Sequence, residues 1–181
     1  QGGHLCIMPE GMSSITGMAQ PVMTGTGKFL KMMGVTVYYT KVSGGYLTYT
    51  KHCLDERVGR VEVTVDRMFT ARELKSLSPQ EIEDTMNRLL AHDDYIWNRE
   101  AQVTFRGKGQ MAKNLDTLLY MCPKCGAMCR MECSGNEMRC TACGNTVALD
   151  EKYNLRPVGE GSTCPELVSD WVLLERKRAE E

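Results

Sequence analysis

The chain has 181 residues, of which 42% are hydrophobic and 25% charged, a composition typical of a folded globular protein. Its formal net charge of −1 provides no overall field that would attract nucleic acid or anionic lipid. Neither a secretory signal nor a run of about 18 apolar residues occurs, so no membrane-spanning helix is expected. Because the sequence starts at Gln1 without an initiator methionine, we expect a piece of a longer protein.

Strand and helix patterns alternate from the start of the chain. The apolar residues 5–8 predict a buried strand, and a loop rich in Ser, Thr and Gly follows them. Residues 26–33 predict a helix that ends at Gly34. β-Branched and aromatic residues predict three more strand segments, at 35–42, 46–50 and 60–65. The last segment alternates strictly between apolar and polar residues, which predicts one buried and one solvent-exposed face.

Two capping boxes mark helix starts in the middle of the chain. Thr70 is followed three residues later by Glu73, and Ser78 by Glu81, with proline at the first helical position of the second helix. The predicted helices cover residues 71–77, 79 to about 97, and 111–119. Strands that alternate with helices favour an α/β fold class.

The nine cysteines form the strongest chemical pattern in the chain. Six of them lie in residues 122–143, where Cys-x2-Cys occurs twice. An odd number of cysteines without a secretory signal favours metal thiolates in a reducing cytoplasm over a disulfide framework. Cys129 and Cys133 lie outside the Cys-x2-Cys pairs, and we expect them to be free or partly buried thiols.

Cys122, Cys125, Cys140 and Cys143 are predicted to bind one metal ion together. Two residues between paired cysteines let one tight turn direct both sulfur atoms at the same ion, and a glycine after each pair permits the backbone to leave the turn. Four thiolates at about 2.3 Å close a tetrahedron with no open position. The pattern therefore predicts a structural zinc ion in a zinc ribbon at residues 119–150.

A second motif combines Pro-Glu-Gly at residues 9–11 with Thr-Gly-Lys at the start of the first predicted helix. Free backbone N–H groups at a helix start and the ammonium group of Lys28 would both favour a phosphate. A polar turn with a solvated lysine explains the same residues. A P-loop is excluded, because Val22 stands where glycine is required and Phe29 where Ser or Thr should follow the lysine.

These motifs, taken in order, resemble the glycerolipid acyltransferase family, the 1-acylglycerol-3-phosphate acyltransferases. The resemblance is closest to the bacterial subgroup that carries a cysteine-rich ribbon after the catalytic domain, and it covers about residues 2–150. The segments that support it are Pro9-Glu10-Gly11, the hexapeptide at 26–31, the strand at 35–42, Gly44-Gly45-Tyr46, residues 78–82, residues 106–108 and residues 118–125.

The resemblance implies an α/β fold that is part of an acyltransferase-like domain. Residues 1–118 would be the C-terminal part of that domain, residues 119–150 the zinc ribbon, and residues 151–181 a partly helical extension. The parent protein would move a fatty acyl group from acyl-CoA or acyl carrier protein to the hydroxyl of a lysophospholipid or glycerophosphate. It would work in the cytoplasm, peripheral to the inner face of the cell membrane, without nucleic acid.

The resemblance also assigns roles to individual residues. Glu10 and Gly11 inherit a substrate-positioning role, and Lys28 would replace the arginine that the family usually carries just after Pro-Glu-Gly. The family's general base is a His-x4-Asp pair, and none of the three histidines here has an aspartate at the fifth following position. We therefore expect no catalytic residue in this chain and an inactive fragment.

Two other functions fit parts of the same sequence. A nucleic-acid-binding ribbon protein shares the cysteine frame, but the basic residues of the ribbon are not interleaved with aromatic residues. A non-catalytic relative that binds lipid or a protein partner would retain the fold without the chemistry. The sequence leaves both alternatives open.

Overall fold

The computed structural model describes residues 2–180 and has a mixed α/β structure with two small sheets. Within the described residues, no helix combines the length and the apolar character needed to cross a membrane. The chain divides into two compact units. The first comprises Gln1–Ser14, Met18–Val42 and Val63–His92, and the second Ile15–Gly17, Ser43–Glu62 and Asp93–Glu181.

The first unit is built from helices and a two-stranded sheet. Its elements are α1 (Thr26–Met33), β1 (Val37–Ser43), β2 (Glu62–Phe69), α3 (Ala71–Ser76) and α4 (Pro79–Leu90), the two strands running into the second unit by one residue each. Its core contains Val22, Leu30, Phe69, Leu74, Ile82 and Met86. The predicted helix at 26–33 is confirmed, and it ends at Gly34 in the left-handed conformation.

Both predicted capping boxes are present. The hydroxyl of Thr70 accepts from the N–H of Glu73, whose carboxylate accepts from the N–H of Thr70. Ser78 and Glu81 make the same reciprocal pair at the start of α4. These bonds satisfy N–H groups that have no partner within the helix, which explains why α3 and α4 begin where the sequence predicts.

Glycine sets the distance between α1 and α4. A Cβ atom built on Gly27 would overlap with the carbonyl oxygen of Pro79. The missing side chain therefore allows the first turn of α1 to contact the first turn of α4. This is a close backbone approach that only glycine permits.

Two strand predictions in the first half are wrong. Residues 5–8 form no strand and are solvent-exposed. Residues 46–50 do not pair as a strand, because Gly45–Thr48 forms the short helix α2 in the second unit. The carboxylate of Asp94 accepts from the N–H groups of Gly44 and Tyr46 at 2.7 and 2.8 Å, and these bonds hold the start of that turn.

The strand predicted at 60–65 corresponds to β2, but its predicted burial is wrong. Residues 62–67 are exposed on both faces, although the sequence alternates between apolar and polar residues. The sheet has only two strands, β1 and β2, and the apolar side chains of residues 62–67 are exposed, whereas Phe69 at the end of β2 is buried in the core of the unit. The alternation of apolar and polar residues at 62–67 therefore indicates a strand but not a buried face.

The second unit carries α5 (Asp94–Ala101), a 3-10 turn (Leu115–Thr117), a four-stranded sheet and the C-terminal helix α6 (Val168–Glu180). The strands are β3 (Met131–Ser134), β4 (Glu137–Cys140), β5 (Thr146–Leu149) and β6 (Leu155–Val158). They are antiparallel in the order β3-β4-β5-β6, with pairs such as Met131 with Cys140 and Met138 with Val147. The strand β6 extends this sheet beyond residue 150.

Two helix predictions in the middle of the chain are corrected. The helix predicted from 79 to about 97 stops at Leu90, and α5 starts separately because Asp93 caps it by accepting from the N–H groups of Tyr95 and Ile96. The helix predicted at 111–119 is reduced to a 3-10 turn. Asn114, immediately before that turn, lies in the left-handed region and interrupts a helical path.

Aromatic rings fill the centre of the second unit. Tyr153 makes edge contacts with Tyr95 and Phe105 at centroid distances of 5.7 and 5.8 Å. The guanidinium group of Arg57 is buried beside Tyr153 and donates to its hydroxyl and to the carbonyl oxygen of Met111. Tyr153 donates in turn to the carbonyl oxygen of Leu47. These bonds satisfy polar groups that would otherwise be costly to bury.

Candidate metal centre

The first cysteine turn, Cys122 to Ala127, is closed by two backbone hydrogen bonds. Gly126 donates to the carbonyl oxygen of Cys122 at 2.9 Å, and Cys122 donates to the carbonyl oxygen of Ala127 at 3.0 Å. Gly126 has a φ of +73°, a conformation in which a side chain would be strained. The turn therefore depends on the glycine that follows the second cysteine.

The second cysteine turn repeats the first. Gly144 donates to the carbonyl oxygen of Cys140 at 2.9 Å, Cys140 donates to that of Asn145 at 2.8 Å, and Gly144 also has a φ of +73°. The hairpin of β3 and β4 connects the two turns, as predicted from the spacing. Two turns of the same geometry thus present their cysteines to each other.

The four sulfur atoms lie close together. The Sγ atoms of Cys122 and Cys143 are 3.7 Å apart, those of Cys125 and Cys140 are 3.9 Å apart, and all four lie within 4.8 Å of one another. Zinc–sulfur bonds of about 2.3 Å in a tetrahedron require sulfur atoms about 3.8 Å apart. The cluster could therefore hold a metal ion such as zinc.

The environment of the thiols differs within the cluster. Cys122 and Cys140 are buried, whereas Cys125 and Cys143 are exposed. The backbone N–H of Ala127 lowers the pKa of the Cys125 thiol to about 7, and burial raises that of Cys122 to about 12. A hydrogen bond to sulfur favours the thiolate, which is the form that binds metal, while burial without a cation opposes it.

A side chain that the sequence did not single out holds the second turn. Asn145 is buried, and its amide nitrogen donates to the carbonyl oxygen of Thr163 at 3.0 Å. Its amide oxygen accepts from the N–H of Thr163 at 2.8 Å. The segment that follows β6 is thereby fastened to the turn that carries Cys140 and Cys143.

The first turn is held by α6. Trp171 is fully buried and donates from its indole nitrogen to the carbonyl oxygen of Met121 at 2.8 Å. Glu175, also buried, accepts from the N–H of Met121 at 2.8 Å. Burial raises the pKa of this carboxyl to about 7. The only sequence signal for these contacts was the helical tendency predicted for residues 151–181.

The predicted substrate residues lie in the first unit. The carboxylate of Glu10 accepts from the N–H of Gln20 at 2.8 Å, and the N–H of Met23 donates to the carbonyl oxygen of Pro9 at 2.7 Å. Gly11 has a φ of +73° and lies against the side chain of Met23. The Pro-Glu-Gly turn is thus fixed to the loop that leads into α1.

The start of α1 already has an anionic partner. The carboxylate of Glu83 accepts from the N–H of Gly25 at 2.8 Å and from that of Gly27 at 3.0 Å. Lys28 is solvent-exposed one residue further on. The backbone donors that could bind a phosphate therefore bind a carboxylate from α4.

The two remaining cysteines of the ribbon lie outside the metal cluster. Cys129 is exposed, and Cys133 is partly buried on β3. Burial raises the pKa of the Cys133 thiol to about 12. Neither belongs to the group of four sulfur atoms that lie within reach of one ion.

No family model, curated protein or solved structure matches this chain. The resemblance to glycerolipid acyltransferases therefore depends on the order of its sequence motifs. The assignment of a candidate metal centre depends instead on the distances between the four sulfur atoms.

Proposed function

We propose that Cys122, Cys125, Cys140 and Cys143 bind one structural zinc ion as thiolates. The observation that carries this proposal is the spacing of the four sulfur atoms, which matches a tetrahedral zinc site. All four positions of the tetrahedron are occupied by protein ligands, so the ion would stabilise the ribbon rather than catalyse a reaction. No open position remains for water or substrate.

Metal analysis of the full chain tests this proposal. Protein purified under reducing conditions should carry about one zinc per molecule after gel filtration. Cys140→Ser should lose the metal, whereas Cys129→Ser, a matched variant of an exposed cysteine outside the cluster, should retain it. Protein that carries no metal, or a Cys129→Ser variant that loses it, would contradict the assignment.

We further propose that the α/β part belongs to an acyltransferase that moves a fatty acyl group from an acyl thioester to a lysophospholipid or glycerophosphate hydroxyl. The order of motifs supports the family, and the anchored Pro-Glu-Gly turn supports the site. Met23 lies against Gly11, and the carbonyl oxygen of Met23 accepts from Thr26, so Met23 links the turn to the start of α1. Glu10 is the residue on which substrate positioning would depend.

This proposal includes the partners and the location that the resemblance implies. The donor would be acyl-CoA or acyl carrier protein, and the parent protein would act peripherally at the cytoplasmic face of the cell membrane. The described chain contributes substrate contacts and no general base, because the three histidines lack the His-x4-Asp spacing. The activity is therefore proposed for a protein in which such a pair precedes Pro-Glu-Gly.

An acyl-transfer assay on that longer protein tests the proposal. With an acyl thioester donor and a lysophospholipid acceptor, Glu10→Ala should lower kcat/KM at least tenfold. Asp66→Asn should leave it unchanged, since Asp66 is an exposed carboxylate on β2. The chain as it stands should show no transfer, because the loss of a positioned general base costs about 10² to 10⁴ in rate. A fully active chain, or a longer protein without the pair, would refute the proposal.

A further inference from the structure

Helix α6 makes a paired contact with the residue that precedes the first metal ligand. Trp171 and Glu175 are one helical turn apart and both are buried. One donates to the carbonyl oxygen of Met121 and the other accepts from its N–H, each at 2.8 Å. Both polar groups of that residue's backbone are therefore bound by side chains of α6.

These contacts restrict the backbone immediately before Cys122. Met121 is itself buried, so its N–H and carbonyl groups have no access to water and need these partners. The N–H of Cys122 is bound within the turn to Ala127. Because the backbone is held on both sides, the Cα–Cβ bond of Cys122 is fixed in direction, and its Sγ atom lies within 4.8 Å of the other three sulfur atoms.

We propose that Trp171 and Glu175 are positioning residues of the metal centre, so that zinc affinity is set in part by a helix that supplies no ligand. The proposal rests on the zinc site proposed above. Removing either contact would leave a buried backbone group of Met121 without a partner and would release Cys122 from its bound position. Outer contacts of this kind change metal affinity by about 10- to 100-fold.

Two substitutions of Glu175 distinguish an effect on the position of Cys122 from an effect on the stability of the fold. Glu175→Ala removes the acceptor for the N–H of Met121, whereas Glu175→Gln retains an acceptor oxygen of similar shape. The control is Glu180→Ala, which removes an exposed glutamate from the same helix. Zinc affinity is measured on the full chain by competition with a chromophoric chelator.

A second readout follows the ligand set itself. Cobalt(II) substituted at the site reports the number of bound thiolates through its charge-transfer absorption. A positioning role predicts that Glu175→Ala weakens zinc binding about 10- to 100-fold and lowers this absorption toward that of three thiolates. Glu175→Gln and Glu180→Ala should both resemble the wild type.

The remaining outcomes also decide for or against the positioning role. If Glu175→Ala binds zinc as tightly as the wild type with an unchanged cobalt spectrum, the positioning role is wrong. If Glu175→Ala does not fold, Trp171→Phe decides, because it removes the indole donor and keeps a smaller aromatic ring at this buried position. Wild-type affinity in Trp171→Phe then overturns the proposal, and a tenfold loss supports it. A wild-type chain without metal would refute the zinc site itself, a different result from unchanged affinity in the variants.

Discussion

Glu175 and His52 should give the second unit two opposite dependences of stability on pH. Burial raises the pKa of Glu175 from its ordinary value of 4.5 to about 7. Burial, aided by the positive charge of Arg57, lowers the pKa of His52 from 6.5 to about 4. In each case the folded state favours the neutral form of the side chain.

The direction of each pH dependence follows from which state, folded or unfolded, binds more protons. Folded Glu175 keeps its proton up to about pH 7, while the unfolded chain releases it near pH 4.5, so its contribution is present below pH 4.5 and is lost as the pH rises to about 7. The unfolded chain protonates His52 below pH 6.5, so its contribution is present above pH 6.5 and is lost as the pH falls to about 4. Each shift corresponds to about 3 kcal/mol over its window.

Single substitutions should uncover each dependence, because the two nearly cancel in the wild type. We expect Glu175→Gln to gain stability relative to the wild type as the pH rises from 4.5 to 7, by up to about 3 kcal/mol. His52→Gln should gain a similar amount as the pH falls from 6.5 to 4. Urea unfolding at intervals of one pH unit measures both differences, with Glu180→Gln as the control. A difference between Glu175→Gln and the wild type that does not change between pH 5 and 8 would refute the assigned burial of this carboxylate.

Three further predictions concern the two units separately. Cys140→Ser should abolish zinc binding and remove amide-exchange protection from the ribbon, while the first unit keeps its protection, as hydrogen exchange would show; equal loss in both units would mean that they unfold together. Gly27→Ala should cost the first unit about 3 kcal/mol or more in urea unfolding, because the new methyl group would meet the carbonyl oxygen of Pro79; unchanged stability would contradict the close approach of α1 and α4. Ser78→Ala should cost about 1 kcal/mol through loss of the cap, whereas a neutral effect would show that the capping box is not formed in solution.

Features encoded by neighbouring residues could be predicted from the sequence. The capping boxes at Thr70 and Ser78 each involve residues three positions apart, and both formed as expected. The cysteine frame is local within each turn, and the spacing between turns allowed the hairpin that brings them together. In these cases the residues that determine the structure are close together in the chain.

Features that depend on distant residues could not be predicted in this way. The segment at 46–50 has the composition of a strand, yet the carboxylate of Asp94, nearly fifty positions away, accepts from the N–H groups of Gly44 and Tyr46 and stabilises a helical turn. The exposure of β2 likewise depends on how many strands join the sheet, which alternation does not reveal. Tertiary contacts overrode local preference at both places.

The contacts around the metal centre show the same limit. The four cysteines of the candidate metal centre were predicted by residue number, but Asn145, Trp171 and Glu175 were not singled out as supports. Trp171 reaches Met121 across 50 positions, and Glu175 across 54. From the sequence alone, a tryptophan and a glutamate on a helix are expected to be a core residue and a surface residue. Their shared contact with the backbone of Met121 is visible only in the folded structure.

At the start of α1, a carboxylate of the same chain occupies the position where a helix start favours an anion. Free N–H groups at the start of this helix would favour an anion, and the carboxylate of Glu83 fills that role by accepting from the N–H groups of Gly25 and Gly27. A phosphate at this point would have to displace a carboxylate bound through two N–H groups, and Lys28 alone offers only an exposed charge that salt screens. The acyltransferase proposal therefore depends on Glu10 far more than on Lys28. Glu83→Gln removes the negative charge that competes for these N–H groups and should therefore strengthen phosphate binding at α1. If adding Lys28→Ala to that variant leaves phosphate binding unchanged, Lys28 does not contribute, and if Glu83→Gln alone changes nothing, the start of α1 is not an anion site.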